Sequence, residues 1–302
     1  MPETDSVLSD SPGIDVARRD VFRLVTSSMK RLLKKMLTIV FGALGLLVLL
    51  LLLFQGRLIY YPRGYAESFL RTVDAEPLSF TTSQGRQVAW LTPKVATESE
   101  HVWLVFCGNG TVALDLEGYF EGAALKRDRF VLFDYPAYGQ CEGRPSPGSI
   151  RESIKALLPA LATKLGTTPD ALRPRLRVFG HSLGCAAALI AMEEHGIRQG
   201  LLVAPFTRML DLGRLAVGWP LSHLLLHRFD NVATLQRLKA GNGARLQVFH
   251  GTDDEVIPFA MGAELAARFP GMVTFEAVSG ASHNDILDLD RTRIVAAMAR
   301  MH

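Results

Sequence analysis

The sequence predicts an α/β fold: a mostly parallel sheet with helices on both faces, preceded by one N-terminal transmembrane helix. Three observations predict it. From His101 onward, short apolar runs alternate with helical stretches, the pattern of parallel strands joined by crossover helices. Residues 178–188, VFGHSLGCAAA, carry a buried strand straight into a helix of small residues. Residues 36–54, MLTIVFGALGLLVLLLLLF, carry no charge.

The uncharged stretch comes first in the chain. As a helix it spans about 28 Å at roughly 1.5 Å per residue, against a hydrocarbon core about 30 Å thick. A cleaved signal peptide has a shorter apolar region and a small-residue cleavage site, and LFQGRLIYY offers none. The stretch therefore reads as an uncleaved signal-anchor. Lys30, Arg31, Lys34 and Lys35 precede it directly, which keeps the N-terminus in the cytoplasm and sends the remainder to the periplasm or a lumen. The expected organisation is a largely disordered cytoplasmic tail over 1–35, an anchor over 36–54 and one globular domain over 57–302.

After the anchor, RLIYY reads as a first strand. PLSFTTS and RQVAWLTP follow as an antiparallel pair turning at Gln84-Gly85, which suits a sheet edge. HVWLVF and RFVLFDY read as buried parallel strands, with a helical stretch from Val112 to Arg127 between them. Residues 147–165 read as a helix, with Ser149 and Glu152 spaced as a capping box. LRVFG, GLLVA, RLQVFH and VTFEAV are further strands. Helices fill 259–268 and 285–301.

Composition excludes some functions. The net charge of the 302 residues is +3, and no basic run with interleaved aromatics occurs outside the anchor flank, so no nucleic-acid partner is expected. No obligate protein partner is indicated. The eight histidines form no H-E-x-x-H pair and the three cysteines lack zinc spacing, so neither metal nor cofactor is expected.

Ser182 carries the chemistry. Its glycine neighbours at 180 and 184 form G-x-S-x-G at a strand-to-helix turn. Such a turn forces the serine into a strained conformation and lifts its hydroxyl above the sheet. The following helix N-terminus aims N–H groups at the same point. A serine hydroxyl is a weak nucleophile and needs a base, which in turn needs an orienting group. Downstream, VFHGTDDEVIP offers Asp254 as the acid, with Asp253 and Glu255 as neighbouring alternatives. SGASHND offers His283 as the base. His250 reads as a packing or turn residue, and the side chain of His181 as pointing away from the nucleophile. The oxyanion hole should use the backbone N–H of Leu183 and a second donor from CGNGTVALD. Asn109 is the first choice for that donor, with Gly110 close behind.

The motifs CGNGTVALD, FDYPAYGQCEGRPS, GHSLG, APFTRMLDL, HRFDN, HGTDDEVIP and SHND occur in this order. Together they resemble the membrane-anchored branch of the α/β-hydrolase superfamily related to serine aminopeptidases. That branch includes eukaryotic acyl-protein depalmitoylating hydrolases. The resemblance covers about residues 57–300. It implies the α/β-hydrolase fold, with an eight-stranded sheet and a small cap after strand 6, and a serine hydrolase using Ser182, Asp254 and His283. The chain departs from the family at Cys107, Cys141 and Cys185. A Cys107–Cys141 disulfide is a hypothesis of the sequence, with three free, buried thiols as its alternative.

Residues 205–228, PFTRMLDLGRLAVGWPLSHLLLHR, form the expected cap. Its leucines and Trp219 make an apolar wall for an acyl chain, or simply core packing. The expected activity is hydrolysis of acyl esters or thioesters through an acyl-enzyme. The alternatives are a peptidase or aminopeptidase-like amide hydrolase and a non-catalytic binding module. The expected partners are an acyl-bearing or peptide substrate and the lipid bilayer, the latter through residues 36–54.

Overall fold

The computed structural model describes residues 12–93, 99–122, 125–241 and 243–301. The chain divides into a first unit ending at Leu53 and a second beginning at Phe54. Helix α1 (Pro12–Ile59) runs through the uncharged stretch and beyond it on both sides. It takes in part of the expected cytoplasmic tail, from residue 12; residues 1–11 lie outside the described residues. Over Val21–Ile59 the helix is long and apolar enough to cross a bilayer, with a mean hydropathy of 2.9 and no burial in its most apolar window.

The second unit is built on an eight-stranded sheet. Its strands are β1 (Glu76–Thr82), β2 (Gly85–Thr92), β3 (Val102–Phe106), β4 (Arg129–Phe133), β5 (Leu176–His181), β6 (Gln199–Val203), β7 (Arg245–Gly251) and β8 (Val273–Val278). The order across the sheet is β1-β2-β4-β3-β5-β6-β7-β8. β2 pairs antiparallel with both β1 and β4, and every later pairing is parallel. The sequence expectation of a parallel sheet with an antiparallel edge is what the chain forms.

RLIYY is not a strand. Arg57 to Ile59 end α1, and Tyr60 and Tyr61 lead into a strap that passes a short helix, α2 (Glu67–Leu70), before β1. The run is apolar because it packs: Tyr60 is fully buried, and Tyr61 N–H donates to side chains rather than to a neighbouring strand.

The core has two layers because the central strands bury both faces. In β3, Val102, Leu104 and Phe106 face one cluster, while Trp103 and Val105 face the other. Helices α3 (Pro147–Lys164), α4 (Pro169–Leu172), α5 (Leu183–His195), α7 (Asn231–Gly241) and α8 (Phe259–Arg268) contribute to the first. Helices α9 (Ile286–Leu289) and α10 (Arg291–Ala299) contribute to the second. Helix α6 (Met209–Val217) and a 3-10 turn (Leu221–Leu224) form the cap after β6.

Two local expectations are corrected. In place of a helix from Val112 to Arg127, the described residues show a short 3-10 turn at Ala113–Leu116. Gly118, at φ 76°, diverts the backbone out of helical geometry. Leu114, Leu116, Phe120 and Leu125 are nonetheless buried, so their apolar spacing serves packing without a helix. The capping box of α3 is Ser146 with Ser149, not Ser149 with Glu152. Ser149 N–H donates to Ser146 Oγ at 3.0 Å, and Ser146 N–H donates to Ser149 Oγ at 2.9 Å. Pro147 takes the first helical position, where the sequence places the start of the helix, so the cap falls on Ser146 rather than Ser149. Glu152 instead accepts from Ser83 N–H and Oγ, both at 2.6 Å.

Candidate active site

Ser182 stands between β5 and α5 with φ 56° and ψ −119°, a conformation L-residues rarely adopt and one that carries strain. The surrounding contacts hold it there. A methyl group on Gly184 would sit 2.0 Å from the Phe106 carbonyl oxygen, and one on Gly180 would sit 2.5 Å from that of Gly184. Only glycine permits these approaches, which lets α5 pack directly on the end of β3. Ser182 N–H donates to Val203 O at 2.9 Å, tying the elbow to β6.

The last two loops supply the partners of the serine. Ser182 Oγ lies 2.9 Å from His283 Nε2, and His283 Nδ1 lies 2.8 Å from Asp254 Oδ2. All three residues are buried. The structure thus joins the three predicted residues in one hydrogen-bonded relay. The neighbouring carboxylates are engaged elsewhere: Asp253 accepts from Thr252 Oγ1 at 2.8 Å, and Glu255 from His283 N–H at 3.3 Å.

Asp254 is fixed from every side. Its Oδ1 accepts from Val256 N–H at 2.9 Å and Ile257 N–H at 2.7 Å. Burial pushes its carboxyl up, but hydrogen bonds from His250, His283 and the Ile257 N–H outweigh burial and hold it well below the usual carboxylate range. The acid is therefore ionised opposite the imidazole.

Two histidines do more than their sequence positions suggested. His250 Nε2 lies 3.3 Å from Asp254 Oδ2 and 2.9 Å from Ile257 O. His181 Nε2 lies 3.3 Å from the His283 carbonyl oxygen, and the two rings sit 5.2 Å apart. The His181 side chain therefore packs beside His283 and buttresses its loop. Burial, then the neighbouring His283 ring, pushes the His181 imidazole down to about 4. It is neutral at physiological pH.

Leu183 opens α5, so its N–H has no acceptor within the helix. The loop after β3 approaches from the other side. A methyl group on Gly108 would sit 3.5 Å from Ser182 Cβ. The next residue, Asn109, turns its side chain away from the serine. Its Oδ1 accepts from Tyr138 Oη at 2.7 Å and Tyr61 N–H at 3.2 Å, and its Nδ2 donates to Ile59 O. Tyr135 Oη donates to Cys107 O at 2.7 Å. Arg63 donates to Gly110 O at 3.2 Å and pairs with Asp115 at 3.1 Å. The end of α1 and the strap after it are thus fastened to this loop. The long-range partners lie about 50 positions apart, with no local pattern to announce them.

Beneath the strap, Asp134 accepts from Tyr65 Oη at 2.7 Å, Ala113 N–H at 2.8 Å and Trp90 Nε1 at 3.0 Å. Burial pushes its carboxyl up to about 6, despite those three donors.

The disulfide hypothesis is corrected. Cys107, Cys141 and Cys185 are free and buried. Cys141 Sγ lies 3.2 Å from Val88 N on β2 and 3.6 Å from Asp134 O, whereas Cys107, directly after β3, turns its Sγ toward Val112 O at 3.9 Å. Burial pushes the Cys141 thiol up to about 12 and raises those of Cys107 and Cys185 as well. Among the described residues no group of three or more metal-binding side chains occurs.

No family model matches the chain. It is 28% identical over 253 residues to the uncharacterized protein Rv2307c of Mycobacterium tuberculosis, covering 82% of this chain and 86% of that one. It is 26% identical over 218 residues to human alpha/beta hydrolase domain-containing protein 17C, covering 72% of this chain and 63% of that one. Among solved structures it resembles the esterase Pf2001 of Pyrococcus furiosus, with a TM-score of 0.59 and 15% identity over 80% of this chain and 94% of that one. It also resembles an alpha-beta serine hydrolase homologue from Coxiella burnetii, with a TM-score of 0.52 and 19% identity over 74% and 97%. The chain thus has the α/β-hydrolase fold, and in sequence it is similar to the alpha/beta hydrolase domain-containing 17 proteins.

Proposed function

We propose that the chain is a membrane-anchored serine hydrolase that cleaves acyl esters or thioesters through Ser182, His283 and Asp254. The observation that carries this reading is the relay of 2.9 and 2.8 Å hydrogen bonds from serine to imidazole to carboxylate. Homology to α/β-hydrolases supports the hydrolytic part.

The reaction follows from the relay. Ser182 Oγ attacks the substrate carbonyl carbon while its proton passes to His283 Nε2. The ionised Asp254 accepts from His283 Nδ1–H and stabilises the imidazolium that forms. The carbonyl oxygen becomes an oxyanion facing the N–H groups of Leu183 and Asn109. Collapse expels the alcohol or thiol, which takes the proton from His283, and leaves Ser182 acylated. Water then attacks the acyl-enzyme, with His283 accepting its proton. The tetrahedral adduct releases the acid and restores the serine hydroxyl.

The same proposal assigns residues 36–54 as the bilayer anchor. It keeps the N-terminal residues cytoplasmic and the catalytic domain, 57–302, on the periplasmic or luminal side. The exposed apolar helix and the cluster of basic residues before it support this.

A fluorophosphonate probe tests the chemistry, because only an activated serine reacts. Labelling of the wild type and not of Ser182→Ala is expected; an unlabelled, folded wild type rejects the mechanism. A panel of acyl esters, thioesters and aminoacyl amides then separates ester or thioester cleavage from peptidase activity. External protease added to spheroplasts should digest the large domain; its protection reverses the orientation.

A further inference from the structure

The cap presents apolar side chains to solvent. Leu215, Val217, Trp219, Leu221 and Leu226 are all exposed, and the Trp219 indole is 75% exposed. They fall within a dozen residues of sequence, on α6, the 3-10 turn and the strand of coil that follows. Helix α6 packs against the turn: a methyl group on Gly213 would sit 3.6 Å from Ser222 Cβ and 3.8 Å from Leu225 Cδ2. These exposed side chains are therefore held on a formed element. Apolar exposure of this kind marks an interaction surface.

Two observations identify what meets it. First, the cap is tied to the residues that directly follow the uncharged stretch. Leu226 N–H donates to Gln55 Oε1 at 2.7 Å. His227 Nδ1 lies 3.2 Å from Tyr60 Oη, with the rings 5.3 Å apart and edge to face. Gln55 is the first polar residue after the run 36–54, and a helix rises only about 1.5 Å per residue. The cap segment is thus anchored to the residue at which the chain would leave the hydrocarbon. Second, the charge beside the patch suits lipid headgroups. Of the three arginines in residues 205–228, Arg208 pairs with Asp211 and Asp230 and Arg214 pairs with Asp211, which leaves Arg228 as the cation available beside the patch. Arg228 donates to the carbonyl oxygens of Leu225 and His223 rather than to an acid.

We propose that the exposed apolar rim of the cap, centred on Trp219, is a second membrane contact that inserts into the bilayer interface. It rests on the anchor reading of residues 36–54. Tryptophan and leucine beside arginine is the composition of segments that lie in the interfacial plane, with indole rings at headgroup level. Docked in this way, the cap would meet acyl chains where they enter from the bilayer.

The chain contains three tryptophans, and the other two, Trp90 and Trp103, are buried in the core. Trp219 is therefore a ready reporter. Full-length protein is reconstituted in phosphatidylcholine vesicles containing phosphatidylglycerol, with or without bromine on the acyl chains. Bromolipid should quench the emission contributed by Trp219 by half or more, and Trp219→Phe should abolish that quenching. Val217→Glu with Leu221→Glu should reduce it several-fold while Trp219 remains. Equal wild-type emission in plain and brominated vesicles, in protein that floats with the vesicles, overturns the proposal. Protection of Trp219 from both bromolipid and aqueous acrylamide also overturns it, because protein then covers the patch. Flotation after carbonate washing reads the anchor, and fluorophosphonate labelling reads the chemistry. Failure of either is therefore distinguishable from failure of the cap to insert.

Discussion

His250 Nε2 lies 3.3 Å from Asp254 Oδ2 and 2.9 Å from the carbonyl oxygen of Ile257. Both neighbours are acceptors, so Nε2 carries the proton and Asp254 receives N–H donors from two imidazoles. Nδ1 of His250 is buried without a partner among the described residues. The second imidazole positions the acid and holds its charge. His250→Phe should lower kcat by about 10- to 100-fold, the worth of roughly 1.5–3 kcal/mol for a hydrogen bond to a charged group. KM should change little. An unaltered kcat in folded protein would reduce His250 to a packing residue.

Ser182→Ala should abolish turnover, a loss of about 10⁴–10⁶-fold, while the thermal midpoint stays within a few degrees of the wild type. The alanine keeps the positive φ and loses only one oxygen. Near-normal turnover would reject the nucleophile.

Asn109→Ala takes a partner from Ile59 O and Tyr138 Oη, while Tyr61 N–H keeps Tyr138 Oη at 3.1 Å. Groups left unpaired in this way cost about 1–3 kcal/mol each when buried. The variant should unfold earlier and lose about 10-fold in kcat, because the loop carrying an oxyanion donor is no longer pinned. Tyr138→Phe should show the same pattern more weakly. Urea titration with steady-state kinetics separates the two effects.

Two buried groups contribute opposite pH slopes to stability. His181 titrates at about 4 in the folded chain, below its ordinary 6.5. Its contribution is present above pH 6.5 and is lost as pH falls toward 4, by about 3 kcal/mol. Asp134 titrates at about 6, above its ordinary 3.8. Its contribution is present below about pH 3.8 and is lost as pH rises through 6, again by about 3 kcal/mol. Between pH 4 and 6 the slopes of these two groups nearly cancel. His181→Gln should gain stability relative to the wild type by about 2–3 kcal/mol on moving from pH 7 to pH 4.5. Chemical denaturation at the two pH values reads the difference.

Thiol counting should find three free thiols under denaturing, non-reducing conditions. The native protein should react slowly, since burial raises all three thiol pKa values. One free thiol on unfolding would restore the disulfide.

The parts legible in the sequence are those with local signatures. G-x-S-x-G between a strand and a small-residue helix marks the elbow, and the carboxylate and histidine loops follow strands that periodicity identifies. What local patterns missed is set by distance. RLIYY has the composition of a strand, yet it ends a helix and packs because Asn109 and Tyr138 receive it from about 50 and 77 positions away. Leu114, Leu116, Phe120 and Leu125 are spaced like a helix face, but Gly118 breaks the backbone while burial keeps the side chains. His250 ends a strand like any turn residue; only the fold of β7 against the following loop brings it to Asp254.

The strap between α1 and β1 bears on how a soluble form could be made. A cut at Glu76, where the sheet begins, looks natural on a strand diagram. It would discard Ile59, Tyr61, Arg63 and Tyr65, and with them partners of Asn109, Gly110 and Asp134. A cut between Leu53 and Gln55 removes most of the uncharged stretch and leaves those ties intact. The boundary between what can be trimmed and what must stay therefore lies inside the long helix, some twenty residues upstream of the first strand.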